Sequence, residues 1–358
     1  MEQILDRVMA EAAVYGGAIL GGGGGGLIAA GLENANSAFD AGIPRLVSCE
    51  DLAPNDMVVT VSAVGSPATN VTPLPTHYRR AVELMQEHGH LAIAGFVSSE
   101  NGAIGTINGW LQSALLSIPV VDCPCDGRAH PTGTMGSLGL DTVADYTSVQ
   151  VAVARNGLEV LASGPIEMTS NLIRRAAHET SSVVAVVRNP VSVSYIQKHG
   201  APGAIRQAIH LGQKLLNLAS GNGWNAVSAI AEELKGTVHG PFLVDNAMLV
   251  SEGGYDHGRI RLLANGKSSL ELTFWNEYMT LEQDEKRLAT FPDLITTFGI
   301  NGLPLTSADV VQGRQVYILT TSHRHLQLGS GVRAINDYRR IEKVIQKSML
   351  SYLDFLED

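Results

Sequence analysis

Apolar residues fall at helical spacing from the start of the chain. Ile4, Leu5, Val8, Met9, Ala12 and Ala13 predict an amphipathic helix. Six consecutive glycines follow at Gly21–Gly26, and Leu27–Ala41 predicts a second helix ending near Gly42 and Pro44. Short β-branched runs then read as strands at Arg45–Cys49, Met57–Ala63, Leu91–Val97 and Pro119–Asp122. Helical patterns at Thr76–His88 and Ile104–Leu116 precede the last two, the alternation of a parallel α/β sheet. Only about seven residues separate the first two strands, too few for a parallel crossover, so an antiparallel edge pair in a mixed sheet is expected.

Further strands are predicted at Val149–Ala154 and Val183–Val187, with helices at Asn171–Glu179, Ala204–Leu218 and Asn225–Leu234. The pattern changes at Gly236. Leu243–Val250, Ile260–Leu263, Leu270–Trp275, Leu294–Phe298 and Val316–Thr320 are short runs spaced by Gly, Asn and Asp, the mark of a β-rich, barrel-like part. A helix over Ile335–Leu356 closes the chain. The expected fold is therefore α/β: an N-terminal three-layer domain with a mixed sheet over residues 1–167, then a C-terminal domain over 168–358 with a helical lead-in. A chain of 358 residues is long enough for two cores.

Composition narrows the function classes. Apolar residues make up 45% and charged residues 17%, which suits a packed globular chain. A net charge of -10 and the lack of a Lys/Arg run argue against nucleic acid and against an anionic membrane surface. No apolar stretch reaches the roughly 18 residues of a spanning helix. Met1-Glu2-Gln3-Ile4 lacks the basic start of a secretory signal, and three cysteines do not make a disulfide framework, so a reducing cytoplasm is the expected compartment.

The glycine run is the first candidate site. Gly21, Gly23 and Gly26 satisfy Gly-x-Gly-x-x-Gly trivially, but a dinucleotide loop needs a strand before it, and here the preceding residues have helical period. Leu27 and Ile28 exclude a Lys-Ser/Thr phosphate loop, and Glu50 is the acid downstream. Side-chain-free backbone lets a ligand or a neighbouring loop approach, and N–H groups at a helix start receive anions or carbonyls. The alternative is a flexible link between helices, against which the folding entropy of six glycines counts.

Ligands gather beyond the carboxyl ends of strands in such sheets. The loops there are Gly65-Ser66-Pro67, Ser98-Ser99-Glu100-Asn101-Gly102 and Asp122 to Pro131. Residues 122–130 hold two thiols, two carboxylates, a guanidinium and an imidazole. Cys123, Cys125 and His130 are zinc-preferring types that Asp122 or Glu100 would complete, although Cys-x-Cys is tighter than the usual spacing. A second reading makes one thiol a nucleophile activated by His130 or Arg128. A third leaves both thiols as small buried hydrophobes, as Cys49 is read to be. All three readings stay open here. His88 and His90 read as a helix cap, His323 and His325 as a solvated strand end, and Trp275-Asn276-Glu277 as a turn able to reach a neighbouring domain.

Together these segments resemble the S-methyl-thiohydantoin desulfurase-like family, found near hydantoinase and oxoprolinase enzymes. The likeness is carried by the glycine run, Glu100-Asn101-Gly102, Val120-Val121-Asp122 and Gly127-Arg128-Ala129-x-Pro131. In the second half it is carried by Phe274-Trp275-Asn276-Glu277, Ala289-Thr290-Phe291-Pro292-Asp293-Leu294-Ile295 and Gly313-Arg314-Gln315-Val316. The resemblance implies an α/β domain followed by a β-rich one, and a hydrolase or desulfurase acting on a small cyclic amide or thioamide. The family loop reads Asp-x-Asp-Gly-x-Gly-Arg-Ala-x-Pro-Glu, whereas Pro124, Cys125 and Thr132 stand here at the second Asp, the next Gly and the closing Glu. Two carboxylates are thereby lost, which turns the expectation toward a thiolate or zinc mechanism.

The expected catalytic residues are Cys123, Cys125, Asp126, Arg128, His130 and Glu100. Gly21, Gly22, Gly23, Gly24, Gly25 and Gly26, with Asn101 and Gly102, are expected to bind substrate. Zinc is the one candidate cofactor, on Cys123, Cys125, His130 and Asp122. The expected partners are a small-molecule substrate, further copies of the chain, and a hydantoinase- or oxoprolinase-type enzyme. The rival reading is a non-catalytic accessory of such an enzyme.

Overall fold

The first sheet of the computed structural model comprises β1 (Gln3–Ile4), β2 (Arg45–Val47), β3 (Met57–Val64), β4 (Ile93–Ser98), β5 (Val120–Val121), β6 (Ser148–Ala154), β7 (Glu159–Gly164) and β8 (Val184–Ser192). Its order is β1-β2-β5-β4-β3-β8-β6-β7. The structure describes residues 2–65, 71–218, 221–252, 255–264 and 268–356. Ser66 and Pro67, part of the first strand-end loop, lie outside the described residues.

The second sheet comprises β9 (Thr237–Glu252), β10 (Tyr255–Ala264), β11 (Ser268–Trp275), β12 (Glu277–Gln283), β13 (Lys286–Thr290), β14 (Leu294–Gly299), β15 (Pro304–Leu305) and β16 (Gln315–Thr321). The helices are α1 (Arg7–Leu20), α2 (Ile28–Ala41), α3 (Pro75–Gly89), α4 (Trp110–Leu116), α5 (Ile166–Glu179), α6 (Val193–His199), α7 (Ala204–Leu218), α8 (Gly223–Glu233) and α9 (Ile335–Ile345). None is long and apolar enough to cross a membrane, among the described residues.

Alternation along the strands builds three layers from the first sheet. Val151, Val153, Ala185 and Val187 pack with Ala81, Val82 and Met85 of α3. Their sequence neighbours Ala152, Ala154, Val184 and Val186 pack with Ile173 and Ala177 of α5. Successive side chains leave opposite faces of a strand, so the two helices cover opposite sides. The sheet is mixed, as expected. However, β2 and β3 are not an antiparallel pair: β2 runs parallel to β5, and β3 parallel to β4. Residues 48–56, with a 3-10 turn at Cys49–Asp51, bridge the two intervening strands, a sideways span of ~15 Å that nine residues can cover without an α-helix. The antiparallel edge pairs are instead β1 on β2 and, at the opposite edge, β7 on β6.

The second sheet is antiparallel throughout, in the order β13-β12-β11-β10-β9-β16-β14-β15. It curls until β12 packs on β14, yet β13 and β15 do not pair, so it is barrel-like without closing. Between the sheets lies a helical layer. Ile19 and Leu20 of α1, Leu211 and Leu215 of α7, and Val227 and Ile230 of α8 meet Leu294, Phe298 and Leu319 of the second sheet. The closing helix stops at Ile345, because Gln346 turns left-handed (φ 55°), and short 3-10 turns follow. His323 and His325 stand in a 3-10 turn rather than on a strand, and His323 lies 3.1 Å from Asp293 and 3.3 Å from Asp354.

The α1–α7 crossing fixes the helical layer and depends on two glycines. A Cβ at Gly16 would lie 1.7 Å from the Ala208 carbonyl oxygen, and one at Gly212 would lie 1.8 Å from that of Ala12. Neither backbone can yield without moving its helix. Gly212→Ala is expected to cost at least about 1–3 kcal/mol of stability, the range for overpacking a filled core. Gly221→Ala, whose Cβ would meet nothing nearer than 3.5 Å, should shift the denaturation midpoint little.

Candidate active site

The glycine run joins the end of α1 to the start of α2, and it is pinned on every side. Gly22, Gly23, Gly25 and Gly26 have φ of 56°, 91°, 73° and 97°, a region where other residues are strained. The carbonyls of Gly22 and Gly23 accept from the Tyr278 and Ser307 N–H groups at 2.8 Å, and that of Gly25 accepts from Ile104 at 3.0 Å. A Cβ at Gly22 would sit 2.7 Å from Arg128 Nη2, one at Gly24 2.1 Å from Glu277 Oε1, and one at Gly25 2.6 Å from Gly102 Cα. The run is a seam between the two halves of the chain, where backbone replaces side chains so that charged groups can approach.

Those charged groups arrive from both halves. Glu100 follows β4, Asp126, Arg128 and His130 follow β5, and Glu277 opens β12. Arg128 is fully buried. Its Nη1 donates to the carbonyls of Pro292 at 3.0 Å and Asp293 at 2.5 Å, and its Nε to that of Ala129 at 3.2 Å. The guanidinium also stacks 4.4 Å from the centre of the Phe291 ring. Asp126 Oδ1 accepts from the Gly329 N–H at 3.1 Å. The His130 N–H donates to Glu100 Oε2 at 3.3 Å, and its ring Nε2 lies 3.4 Å from the same oxygen. The Glu277 carboxylate accepts from the N–H groups of Gly25 and of Glu277 itself.

One atom of each of four residues is left over. Asp126 Oδ2, Arg128 Nη2, His130 Nδ1 and Glu277 Oε2 are buried without a protein hydrogen-bond partner among the described residues. Leaving such an atom unsatisfied costs about 1–3 kcal/mol, so these four are atoms that water or a polar ligand would satisfy. Glu100 keeps 19% of its side chain exposed and is the cluster's contact with solvent.

Burial governs the ionisation of this cluster. It pushes Glu277 well above the usual carboxylate range, the Glu100 charge adds to the rise, and Arg128 opposes it. Asp126 is pushed up to about 6 by burial, against His130 and Arg128. Burial likewise raises Glu100 and lowers Arg128. For Asp126 the folded protein holds its proton more tightly than the unfolded chain. The resulting stability is therefore complete below pH ~4 and is lost as pH rises through ~6. Asp126→Asn should remove that fall, on the order of 3 kcal/mol between those limits. Parallel wild-type and variant curves of unfolding free energy from pH 4 to 7 would contradict it.

The thiols take another place. Cys125 Sγ lies 3.3 Å from Thr60 Oγ1, and burial pushes its thiol up to about 11. Cys123 donates to the Ile196 carbonyl at 3.3 Å, and the neighbouring Cys49 thiol, with burial, pushes it up. Both pack with Val47, Val58, Val97 and Ile196. Asp122 accepts from the Ile205 and Arg206 N–H groups at 2.9 and 3.2 Å and pairs with the Arg206 side chain at 2.7 Å, holding the start of α7. The zinc set expected from Asp122, Cys123, Cys125 and His130 thus does not assemble. Each side chain turns to a different element, and no three His, Cys, Asp or Glu side chains could share an ion among the described residues.

Asn101 is buried, donates to the Ala204 carbonyl at 2.8 Å, and keeps its Oδ1 unpartnered. Gly102 packs against Gly25. Glu277 was absent from the residues expected at the site. Its signal was an acid set among Phe274, Trp275 and Tyr278, at a turn where Asn276 takes a left-handed φ of 58°.

The S-Me-THD-like N-terminal domain matches residues 9–162, and the S-Me-THD-like C-terminal domain matches residues 165–333. A crystal structure of a protein from Chromobacterium violaceum is similar in fold, with a TM-score of 0.75 at 19% identity, covering 96% of this chain and 97% of that one. No curated protein matches the chain.

Proposed function

The chain belongs to the S-Me-THD-like family, and we propose that it hydrolytically removes sulfur from a small five-membered ring of the S-methyl-thiohydantoin class. The sulfur-bearing ring carbon lies between two nitrogens. Water adds there to give a tetrahedral intermediate, a C–O bond replaces the C–S bond, methanethiol leaves with one of the water protons, and the ring nitrogen of the former C=N bond keeps the other. The ring keeps a carbonyl. Such a step needs a base for water, an acid for the departing sulfur and fixed donors for charge.

The four unpartnered atoms beside Glu100 are the observation that supports this reading. Glu100, bridged to His130, takes the proton from water. Glu277, kept protonated by burial and by the Glu100 charge, gives a proton to the sulfur. Two carboxyls whose surroundings separate their ionisation are a recurrent acid–base arrangement. Arg128 Nη2 donates to a ring carbonyl, and Asp126 Oδ2 accepts from a ring N–H. In this mechanism the thiols serve packing, and the carboxylates missing from the strand-end loop are supplied by Glu100 and Glu277.

The test is methanethiol release from an S-methyl-thiohydantoin by the purified chain alone, followed with a thiol reagent. Cys125→Ala is expected to keep turnover close to wild type, whereas His130→Ala should lose about 10²–10⁴-fold. No release by the wild-type chain would reject the activity and leave the accessory role. Loss of turnover in a folded Cys125→Ala would return the chemistry to the thiol.

A further inference from the structure

Next to the buried cluster lies a groove of about 320 Å³, lined by Thr132 to Thr134, Glu167, Ser170, Asn171, Arg174, Tyr255 and Arg340. One wall is the loop that continues from His130, and the others come from α5, β10 and α9. Arg174 lies over the Tyr255 ring at 5.0 Å, and Arg340 over the Trp275 ring at 5.4 Å. The two rings are themselves 4.9 Å apart, so one aromatic pair braces both guanidinium groups. Neither arginine forms an ion pair among the described residues, and Glu167 is the only acid in the lining. Thr132, Thr134, Ser170 and Asn171 add neutral polar groups.

Stacked guanidinium groups with free N–H edges suit a carboxylate, which they grip in a planar, two-pronged way. The volume is at the low end for ligand pockets and fits a small metabolite. The chain itself joins the groove to the cluster, since Thr132 in the lining stands two residues after His130. Thr132 donates to Asp337 at 2.9 Å, and the charges of both Arg340 and His130 act on that carboxyl. Arg188 is within electrostatic reach of both Arg174 and Glu100.

We propose that this groove binds the acidic arm of the substrate, so that the preferred ring carries a short side chain ending in a carboxylate. The proposal rests on the ring-hydrolysis reading for the identity of the ring, and on the groove alone for the acid. It is tested by calorimetric titration of hydantoin rings bearing a 5-acetate or a 5-methyl group, and of succinate, into wild type and the Arg174→Gln/Arg340→Gln double variant.

The acetate ring is expected to bind wild type at least about tenfold more tightly than the methyl ring, the worth of one charge-assisted hydrogen-bonded contact. That ratio should fall toward one in the variant. Binding of succinate to wild type but not to the variant, with neither ring bound, would support the groove and reject the ring. Equal binding of the two rings, a preference that survives both substitutions, or no binding of either acid would overturn the proposal.

Discussion

Arg128→Ala is expected to lower the unfolding free energy by about 3–5 kcal/mol, the cost of removing one partner from a buried charge network. The guanidinium touches both halves of the chain. It bonds to carbonyls on either side of the seam, stacks on Phe291, and offsets the carboxyls of Asp126 and Glu277. Alanine leaves the Pro292 and Asp293 carbonyls without this donor and the Asp126 carboxyl without the guanidinium's positive charge. Arg128→Lys should recover only part of the loss, since an ammonium lacks the planar fork. Chemical denaturation measures it, and a variant within about 1 kcal/mol of wild type would mean that the cluster is not held by this charge.

Glu277→Gln should show the opposite balance of effects. The amide is nearly isosteric and neutral, as the carboxyl already is when burial keeps its proton, so stability near neutral pH should change little. Turnover should fall by about 10²–10⁴-fold, the usual contribution of a positioned acid. The loss should lie in kcat rather than KM, because a proton delivered only as sulfur departs is not part of ground-state binding. Unimpaired turnover in the glutamine variant would remove Glu277 from the chemistry. A loss matched by unfolding would make it structural.

Much of this arrangement could be read along the chain before any geometry. The helices around the glycine run, six of the eight strands of the first sheet and the change to short strands after Gly236 follow from spacing alone. Elements whose sequence pattern does not follow their burial escaped. Residues 277–281 of β12 are buried on both faces and show no alternation, while β7 alternates in burial but puts Leu161 on its exposed face. The seven-residue α6 is too short to display a period. Of the buried polar cluster, residue types picked out Arg128, His130, Asp126 and Glu100, which stand in the loops after β4 and β5.

The buried setting of the thiols could not be read from the sequence, for a physical reason. Nothing in Cys-x-Cys tells whether water reaches the sulfur, and desolvation decides between a nucleophile and a packing group. Glu277 needed the opposite information. Its sequence neighbours say that an acid is buried, but only the fold shows that it is buried against Glu100 and Arg128.

The six glycines have a last consequence for how the chain can be rearranged. Poly-glycine ordinarily tolerates insertions, cuts and circular permutation at little cost. Here three of its carbonyls are spoken for by residues far apart in the chain, and at five of its positions a Cβ would fall within 3 Å of a group outside the run. The stretch with the greatest intrinsic freedom is thus the one whose length is most strictly set, and a seventh glycine would throw α2 out of step with everything α1 holds.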